Sequence, residues 1–461
     1  MHKMQHKEAR HGLLIASTMA LVVCAMLSAT AHALDSLPAD PSNTTISLTR
    51  SACYGTCPNY TVVIHGDGQV RFSTDLEPVS GVDALHRQFA QSRGVLVAGT
   101  HEDRVPAQSV AALLAQFQRV GFWQLQDRYA ARVTDNPTQI ITLEVGGRRK
   151  QVVDYVGTEA GMPQSVRDLE DAIDRVADTA RWVDGTPALI PWLVEQKFDF
   201  HSMQATELAV AGERGTADQA MVLALIDRGA PLSLPVDDDP SPRAGAPKPQ
   251  PAGILLIQAA IYRGHAQVFH RLVKAGWLAR WGKGNAAESF AANAAGCSPE
   301  LVDVAAAAGV DIDAAQRIPT SADASEAQGR TALGELGATY TCNRNEDARS
   351  QTAQRLLAHG ANPNHRDSLG HTPLYGVENL KLLNMLLANG ANATIKSNDG
   401  NSVVFGSWTD AVVLRLLQAG ASPVGHYDDG KTLAQQAVLR DMPQVAKWLA
   451  DHPEPYRRQG G

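Results

Sequence analysis

The sequence predicts an α+β fold class, with an N-terminal two-layer α/β sandwich of antiparallel strands followed by an all-α repeat array. In the first half, β-branched runs alternate with short glycine turns, a pattern typical of antiparallel hairpins. In the second half, Gly360-Ala361 recurs as Gly390-Ala391 and Gly420-Ala421, 30 residues apart each time. A fixed period of this size indicates stacked helical repeats.

Length and composition set the broad class of the protein. A chain of 461 residues is too long for one ordinary core and suggests two or three units. With 44% hydrophobic and 19% charged residues, the chain has the composition of a soluble globular protein. The net charge of −7 argues against nucleic acid or an anionic lipid surface as the main partner.

The N-terminus reads as a secretory signal peptide over residues 1–33. Basic residues precede an apolar run from Leu13 to Leu27, and Ala31-His32-Ala33 follows as a small-x-small cleavage site. We expect cleavage after Ala33 and a periplasmic or secreted location. The alternative is a retained anchor, because residues 12–31 are about long enough to span a bilayer. No later run is long and apolar enough to suggest a second span.

Cysteine usage agrees with export. Apart from Cys24 in the signal segment, the chain has four cysteines, Cys53, Cys57, Cys297 and Cys342. An even number in an oxidising compartment favours disulfides. Position in the sequence favours the local pairing among the three that four cysteines allow.

The first mature domain is expected over residues 40–184. Its predicted strands are Thr44–Thr49, Tyr60–Ile64, Gln69–Phe72, Gln139–Val145 and Lys150–Val156, and its predicted helices lie within Val105–Phe122 and Pro163–Ala180. The turns Gly66-Asp67-Gly68 and Gly146-Gly147 close the two hairpins. A sheet with two packed helices is an α+β sandwich.

The densest local signature of this domain is the pair Cys53 and Cys57. Two thiols this close in sequence can form a redox or metal pair, or a structural disulfide. A redox motif normally has two intervening residues and a helix N-terminus, whereas this pair has three and Pro58 leads into a strand. Zinc would need two more ligands at a regular spacing. We favour the structural disulfide.

The string Cys-Tyr-Gly-Thr-Cys-Pro-x-Tyr, with Asp67-Gly68, Gly121-Phe122-Trp123 and the segment Thr134–Thr138, resembles a bacterial family of exported domains of unknown function. The resemblance covers about residues 44–183 and implies the fold above, with no activity to carry across. Thr134–Thr138 could offer Asp135 as a base, but a tight turn that feeds a strand explains the same residues. No catalytic triad, cofactor motif or metal signature is visible, so we expect no catalytic, cofactor-binding or metal residues.

After a bridge at 185–205, residues 206–454 resemble the ankyrin family, as about seven irregular repeats. Three segments carry the resemblance: Gly370-His371-Thr372-Pro373-Leu374-Tyr375, Gly264-His265 with Val268 and Leu272, and Ala353–Asn364. Thr with Pro suits the start of an inner helix. The glycine after each outer helix suits a left-handed C-cap.

The array departs from the family pattern in several places. The repeats that start at Thr372 and Ser402 are short, so their helix pairs are expected to have lost nearly a turn. Insertions are expected at Asp237–Pro251, at Pro319–Gln328 and after Cys342. Counting from each repeat start places Cys297 and Cys342 at the ends of successive inner helices. Helices about 8–10 Å apart are slightly too distant for a disulfide, but the insertion supplies slack, so we predict a Cys297–Cys342 bridge.

We expect a protein–protein interaction module, because helical solenoids bind through a concave surface of fingers and inner helices. The candidate contacts at the finger tips are His365, Arg366, Asp367, Lys396, Asn398, His426, Tyr427 and Asp428. These tips could equally be polar because they are solvated, and Trp408 could be core or an exposed anchor.

The partner is expected to be a protein and the chain a monomer. The irregular region between residues 230 and 350 is where we would look for specificity. The alternatives are an enzyme or redox protein with its site in the N-terminal domain, or a structural protein of the cell envelope.

Overall fold

A computed structural model describes residues 43–74, 94–236, 248–317, 328–337, 342 and 345–453. The expected signal segment, and most of the insertions at 237–251 and 319–328, lie outside these residues. Among the described residues, no helix is long and apolar enough to cross a membrane. The chain divides into two compact units between Leu189 and Ile190, within the expected bridge.

The first unit is built on a seven-stranded sheet in the order β4-β3-β2-β1-β6-β7-β5. Its strands are β1 Thr44–Arg50, β2 Tyr60–His65, β3 Gln69–Ser73, β4 Thr100–Arg104, β5 Arg128–Ala130, β6 Gln139–Val145 and β7 Arg148–Tyr155. All neighbours pair antiparallel except β5 with β7. Burial alternates along β1 and β2, which is the pattern of a sheet with one face against a core.

Helices cover that face of the sheet. They are α1 Ala107–Val120, α2 Gln164–Ala177 and α3 Ala180–Val183. Helix α2 contacts α1, β1 and β2. The apolar stripes of α1 and α2 are buried as the periodicity predicts, for example Leu113 and Ile173 at 0% exposure.

Both predicted hairpins are confirmed. Gly146 and Gly147 have φ values of 56° and 81°, the left-handed pair that a two-residue turn requires. Strands β4 and β5 were not predicted. The sequence of β4 is Thr-His-Glu-Asp-Arg, which has no apolar alternation because β4 is the exposed edge strand of the sheet.

The second unit is helical. Its helices, with α4 at the boundary between the units, are α4 Leu189–Glu195, α5 Met203–Arg214, α6 Gln219–Asp227, α7 Ala252–Arg263, α8 Ala266–Lys274, α9 Trp277–Trp281, α10 Lys283–Ala292, α11 Pro299–Ala307, α12 Ala332–Leu336, α13 Glu346–Ala358, α14 Leu380–Ala388, α15 Asp410–Gln418, α16 Leu433–Leu439 and α17 Pro443–Asp451. Two short strands, β8 Pro235–Val236 and β9 Gln250–Pro251, pair just before α7.

The Gly-Ala repeat forms the same helix end three times. Gly360, Gly390 and Gly420 have φ values of 92°, 90° and 93° after α13, α14 and α15. The following alanine donates its N–H to the carbonyl of a buried leucine five residues earlier, for example Ala391 to Leu386 at 3.0 Å. This is a Schellman motif, so the expected left-handed C-cap is confirmed.

The shortening of two repeats falls on their first elements. Residues 373–376 form only a turn, and Val403–Gly406 is one turn of 3₁₀ helix. The helices that follow, α14 and α15, keep nine residues each. The repeat therefore retains the element that carries the Gly-Ala cap.

We expect Gly390→Ala to lower the free energy of unfolding by about 1 kcal/mol, because a side chain raises the energy of left-handed backbone. Space does not contribute, since no atom lies within 4 Å of the added methyl group. Gly284→Ala is the matched control: Gly284 lies inside α10 with equal space, so alanine should stabilise it by roughly 0.5 kcal/mol. Urea unfolding of both variants tests this, and equal effects of the same sign would contradict it.

Candidate functional site

An open groove of about 820 Å³ lies between α7 and α10. Its lining includes Leu255, Gln258 and Tyr262 of α7, Asn285 and Glu288 of α10, and Asn293 just after α10. Gln250 of β9 and Arg214 at the end of α5 also line it. Apart from Arg214, the residues that line the groove belong to the irregular region that the sequence singled out, at residues 230–350.

Aromatic and amide side chains give the groove its chemistry. Tyr262 is 68% exposed, although the helix that carries it, α7, is otherwise largely buried. Trp281 lies beside it in the lining. Gln258 and Asn285 add amide donors and acceptors. Aromatic rings with neighbouring polar groups are the composition of protein-binding surfaces.

Helix α10 has open space on its other side as well. A second cavity of about 370 Å³ is lined by Lys283, Ala287 and Glu288 of α10 and by residues 309–317. Glu288 lines both cavities and pairs with Arg317 at 3.1 Å. Both exposed flanks of α10 are therefore accessible to a ligand.

The start of α10 is set by an additional short helix, α9. Trp277 of α9 packs on Gly253 of α7, where a methyl group would lie 2.2 Å from the indole ring. The Arg280 guanidinium covers the other part of this indole, 4.6 Å from the ring centroid. Gly253 is thus required for the approach of α9 to α7.

The end of α10 is a left-handed turn. Ala294, Ala295, Gly296 and Cys297 have successive φ values of 47°, 56°, 60° and 53°. Left-handed backbone costs roughly 1–2 kcal/mol per residue other than glycine, so three such residues store about 3–6 kcal/mol. Neighbouring structure must hold this turn in place.

Two constraints hold it. Gly296 faces Gly264 at the end of α7 so closely that a methyl group on Gly296 would lie 2.3 Å from the Ile261 carbonyl oxygen. Cys297 is bonded to Cys342, with Cα atoms 5.4 Å apart, as predicted. A crosslink between residues 45 apart also stabilises the folded chain by about 4 kcal/mol in the chain-entropy model, because it restricts the unfolded state.

The eight finger-tip candidates divide by burial. Arg366, Lys396, Asn398, His426 and Asp428 are exposed, and His365 is half-buried. Asp367 and Tyr427 are buried, at 7% and 4% exposure, which corrects the expectation that they lie at exposed tips. The exposed Arg366 also donates to the Asn398 side chain at 2.9 Å, which joins adjacent fingers.

Asp367 organises its own loop. Its carboxylate accepts the backbone N–H groups of Leu369 and His371 at 2.9 and 2.8 Å, and the Arg330 Nε at 3.3 Å. Burial alone would raise the pKa of Asp367, but the hydrogen bonds from His371 and Arg330 outweigh it and hold the pKa below its ordinary value. Because these donors already occupy the Asp367 carboxylate, we interpret Asp367 as a residue that stabilises its own loop.

The exposure of Trp408 lies between that of a core residue and that of a fully exposed anchor. Its indole, 40% exposed, lies between the ring of Tyr427, 4.5 Å away, and the Arg440 guanidinium, 3.9 Å away. Tyr427 is buried beneath it because its ring also meets Phe405 edge-on at 5.0 Å. The sequence missed this stack because Trp408 and Arg440 are distant in the chain.

In the first unit, Cys53 and Cys57 are bonded and close a small loop, as predicted. Tyr54 at its tip is 90% exposed. The neighbouring segment Thr134–Thr138 is an exposed turn in which Asp135 has a φ of 67° and Asn136 donates to the Thr134 carbonyl. This geometry agrees with the turn interpretation of that segment.

A polar network lies between the sheet and α2. The Asp174 carboxylate accepts from Tyr60 at 2.6 Å, from Thr179 at 2.8 Å and from Arg50 at 2.9 Å. Burial raises the pKa of Tyr60 above its usual range, and the charge of Asp174 adds to this effect. The network links β1 and β2 to α2.

Glu170 and Asp154 form a second buried group nearby, at 4% and 1% exposure. Burial and the charge of Asp154 raise the pKa of Glu170 to about 8, against the opposing charges of Arg50 and Arg167. A buried carboxyl group with a raised pKa is found in acid–base catalytic sites. Its enclosure, however, keeps a substrate from touching it in this conformation, so we interpret it as part of the core.

We expect Glu170→Gln to reduce the loss of stability at high pH. A folded pKa of about 8 against an ordinary 4.5 means that this group's stabilisation is complete below pH 4.5 and is lost as pH rises through 8. Glutamine is permanently neutral, so the variant should melt roughly 5–10 °C above the wild type at pH 9 and close to it at pH 5.

Thermal unfolding at pH 5, 7 and 9 measures this effect. Glu159→Gln, which changes an exposed carboxylate of the same unit, should leave the pH profile unchanged. A Glu170→Gln profile parallel to that of the wild type would contradict the assignment.

The groove residues were not named from the sequence. Tyr262 could have been found, because it lies two residues before Gly264-His265 and next to the buried Ile261. Gln258 and Asn285 carried no such signal. Among the described residues, no cluster of three His, Cys, Asp or Glu residues is placed to hold a metal ion.

Comparison with known proteins gives a family for part of the chain. No curated protein matches it. Among solved structures it is similar to the ankyrin repeat domain of Bcl-3, described as a unique member of the IkappaB protein family, with 18% identity and a TM-score of 0.31 over 53% of this chain and 98% of that one. Residues 44–177 match the family model described as Domain of unknown function (DUF6438).

Proposed function

We propose that this protein is an exported interaction module whose helical unit is an ankyrin-type array that binds a protein partner without catalysis. The observation that carries the proposal is the groove between α7 and α10, with the exposed Tyr262 on its wall. Its size and its mixture of aromatic and amide groups suit a segment of polypeptide.

Repeated local geometry supports the ankyrin-type array. Helices α13, α14 and α15 end in the same Schellman motif. Successive loops also bond to each other, since the Asn364 side chain donates to the Gly390 carbonyl and accepts from the Asn392 N–H. Contacts between neighbouring repeats are the basis of solenoid stability.

Export is supported by the N-terminal signal pattern and by the two bonded cysteine pairs. Disulfides persist in oxidising compartments such as the bacterial periplasm. We propose that the first unit is a second recognition or docking domain, for a ligand other than the partner of the array.

We expect Tyr262→Ala to weaken retention of the partner about tenfold or more, because truncated aromatic anchors give losses of this size. The measurement uses the full chain, immobilised, to capture and cross-link proteins from a cell-envelope extract of the source organism. The identified partner is then titrated against each variant.

Tyr54→Ala is the matched control, since it removes an exposed tyrosine from the first unit. It should bind the partner as the wild type does. If Tyr54→Ala loses the partner while Tyr262→Ala retains it, the binding site belongs to the first unit and the proposal for the array fails.

A further inference from the structure

The left-handed turn at residues 294–297 connects the two walls of the groove. Asn293, which lines the groove, immediately precedes the turn and accepts the Gly296 N–H at 2.8 Å. On the other wall, Gly296 lies against Gly264, two residues beyond Tyr262. A change in the turn therefore acts on α7 and α10 together.

The turn has no local reason to be left-handed, because three of its four residues are not glycine. The Cys297–Cys342 bond holds its last residue, and Cys342 is itself left-handed with a φ of 61°. Without the bond, the turn is held by packing alone, with Ala294 and Ala295 buried and Gly296 close against Gly264. Such a turn relaxes toward ordinary backbone when its constraint is released.

The bond is within reach of a reductant. Cys297 and Cys342 are each partly exposed. A dithiol can attack the disulfide through a mixed disulfide. In the complete exchange the protein S–S bond breaks, two electrons and two protons pass to the cysteines as two thiols, and the dithiol becomes a disulfide.

We propose that the Cys297–Cys342 disulfide is a redox latch that holds the groove between α7 and α10 in its binding shape. Reduction releases the left-handed turn, the end of α10 moves against α7, and the affinity for the partner falls. This regulation rests on the proposed function of the groove, but the structural response of the turn does not.

Hydrogen–deuterium exchange of the full chain tests the structural response without a partner. The starting protein is Cys53→Ser/Cys57→Ser, which leaves only the Cys297–Cys342 bond to reduce. With dithiothreitol, amides of residues 260–264 and 285–297 should exchange about tenfold faster, while α15 and α17 should not change. No change at these residues, or an equal rise throughout the array, would overturn the latch.

Gly296→Ala tests the coupling with the disulfide intact. The added methyl group would meet the Ile261 carbonyl oxygen and the Gly264 Cα, so exchange should rise in both groove walls. Gly360→Ala is the control, because Gly360 is also left-handed but has no atom within 4 Å of the methyl group. If the two variants behave alike at residues 260–264 and 285–297, the turn does not control the groove.

Binding of the captured partner then separates the two proposals. If the disulfide is a redox latch, the affinity for the partner should fall about tenfold when the disulfide is reduced. The affinity should also be low in Cys297→Ser/Cys342→Ser, which cannot form the bond. Loss of binding in Tyr262→Ala without any effect of reduction would keep the groove as the site and overturn its regulation. Unchanged binding in Tyr262→Ala, with faster exchange on reduction, would instead remove the proposed function.

Discussion

The C-terminal part of the helical unit depends on one hydrogen-bonded geometry, the left-handed glycine that follows each of the helices α13, α14 and α15. At Gly360, Gly390 and Gly420, the following alanine is buried and its N–H bonds back to a buried leucine. The cap provides hydrogen-bond donors for carbonyl groups that the helix end would otherwise leave unpaired, and it turns the chain into the loop that follows. Where repeats have become shorter, the loss falls on the first element and the cap remains. The period therefore survives changes in helix length.

The groove lies where this geometry is interrupted. After Gly276 the chain enters the extra helix α9, and after α10 it enters a left-handed turn made mostly of non-glycine residues. Both irregular segments pack on α7 at glycines where there is no room for a side chain. Trp277 of α9 contacts Gly253, and Gly296 of the turn contacts Gly264. Strain of about 3–6 kcal/mol in the turn persists because packing around residues 294–296 and the bond at Cys297 hold the backbone in place. Irregular backbone here shapes a surface that regular repeats would not form.

Several ionisable groups of the first unit are buried between its sheet and α2. The Asp174 network ties two strands to α2, and burial together with the charge of Asp154 raises the pKa of the neighbouring Glu170 to about 8. Such networks stabilise a fold when their members are hydrogen-bonded. The exposed feature of this unit is instead the disulfide loop that presents Tyr54. Because these ionisable groups are buried while the exposed loop carries none of them, the titratable residues did not indicate a functional site in the first unit.

What the sequence determined by itself is local. Turns that need positive φ favour glycine, so Gly146-Gly147 and the Gly-Ala pairs could be placed from spacing alone, and apolar periodicity located α1 and α2. The edge strand β4 could not be found, because an exposed edge has no apolar alternation. Tertiary structure decided the rest. Asp367 and Tyr427 look like exposed polar tips in the sequence, but His371 and Arg330 surround one and Trp408 covers the other. The groove, the turn at 294–297 and the pKa of Glu170 arise from residues far apart in the chain, whose proximity no local pattern specifies.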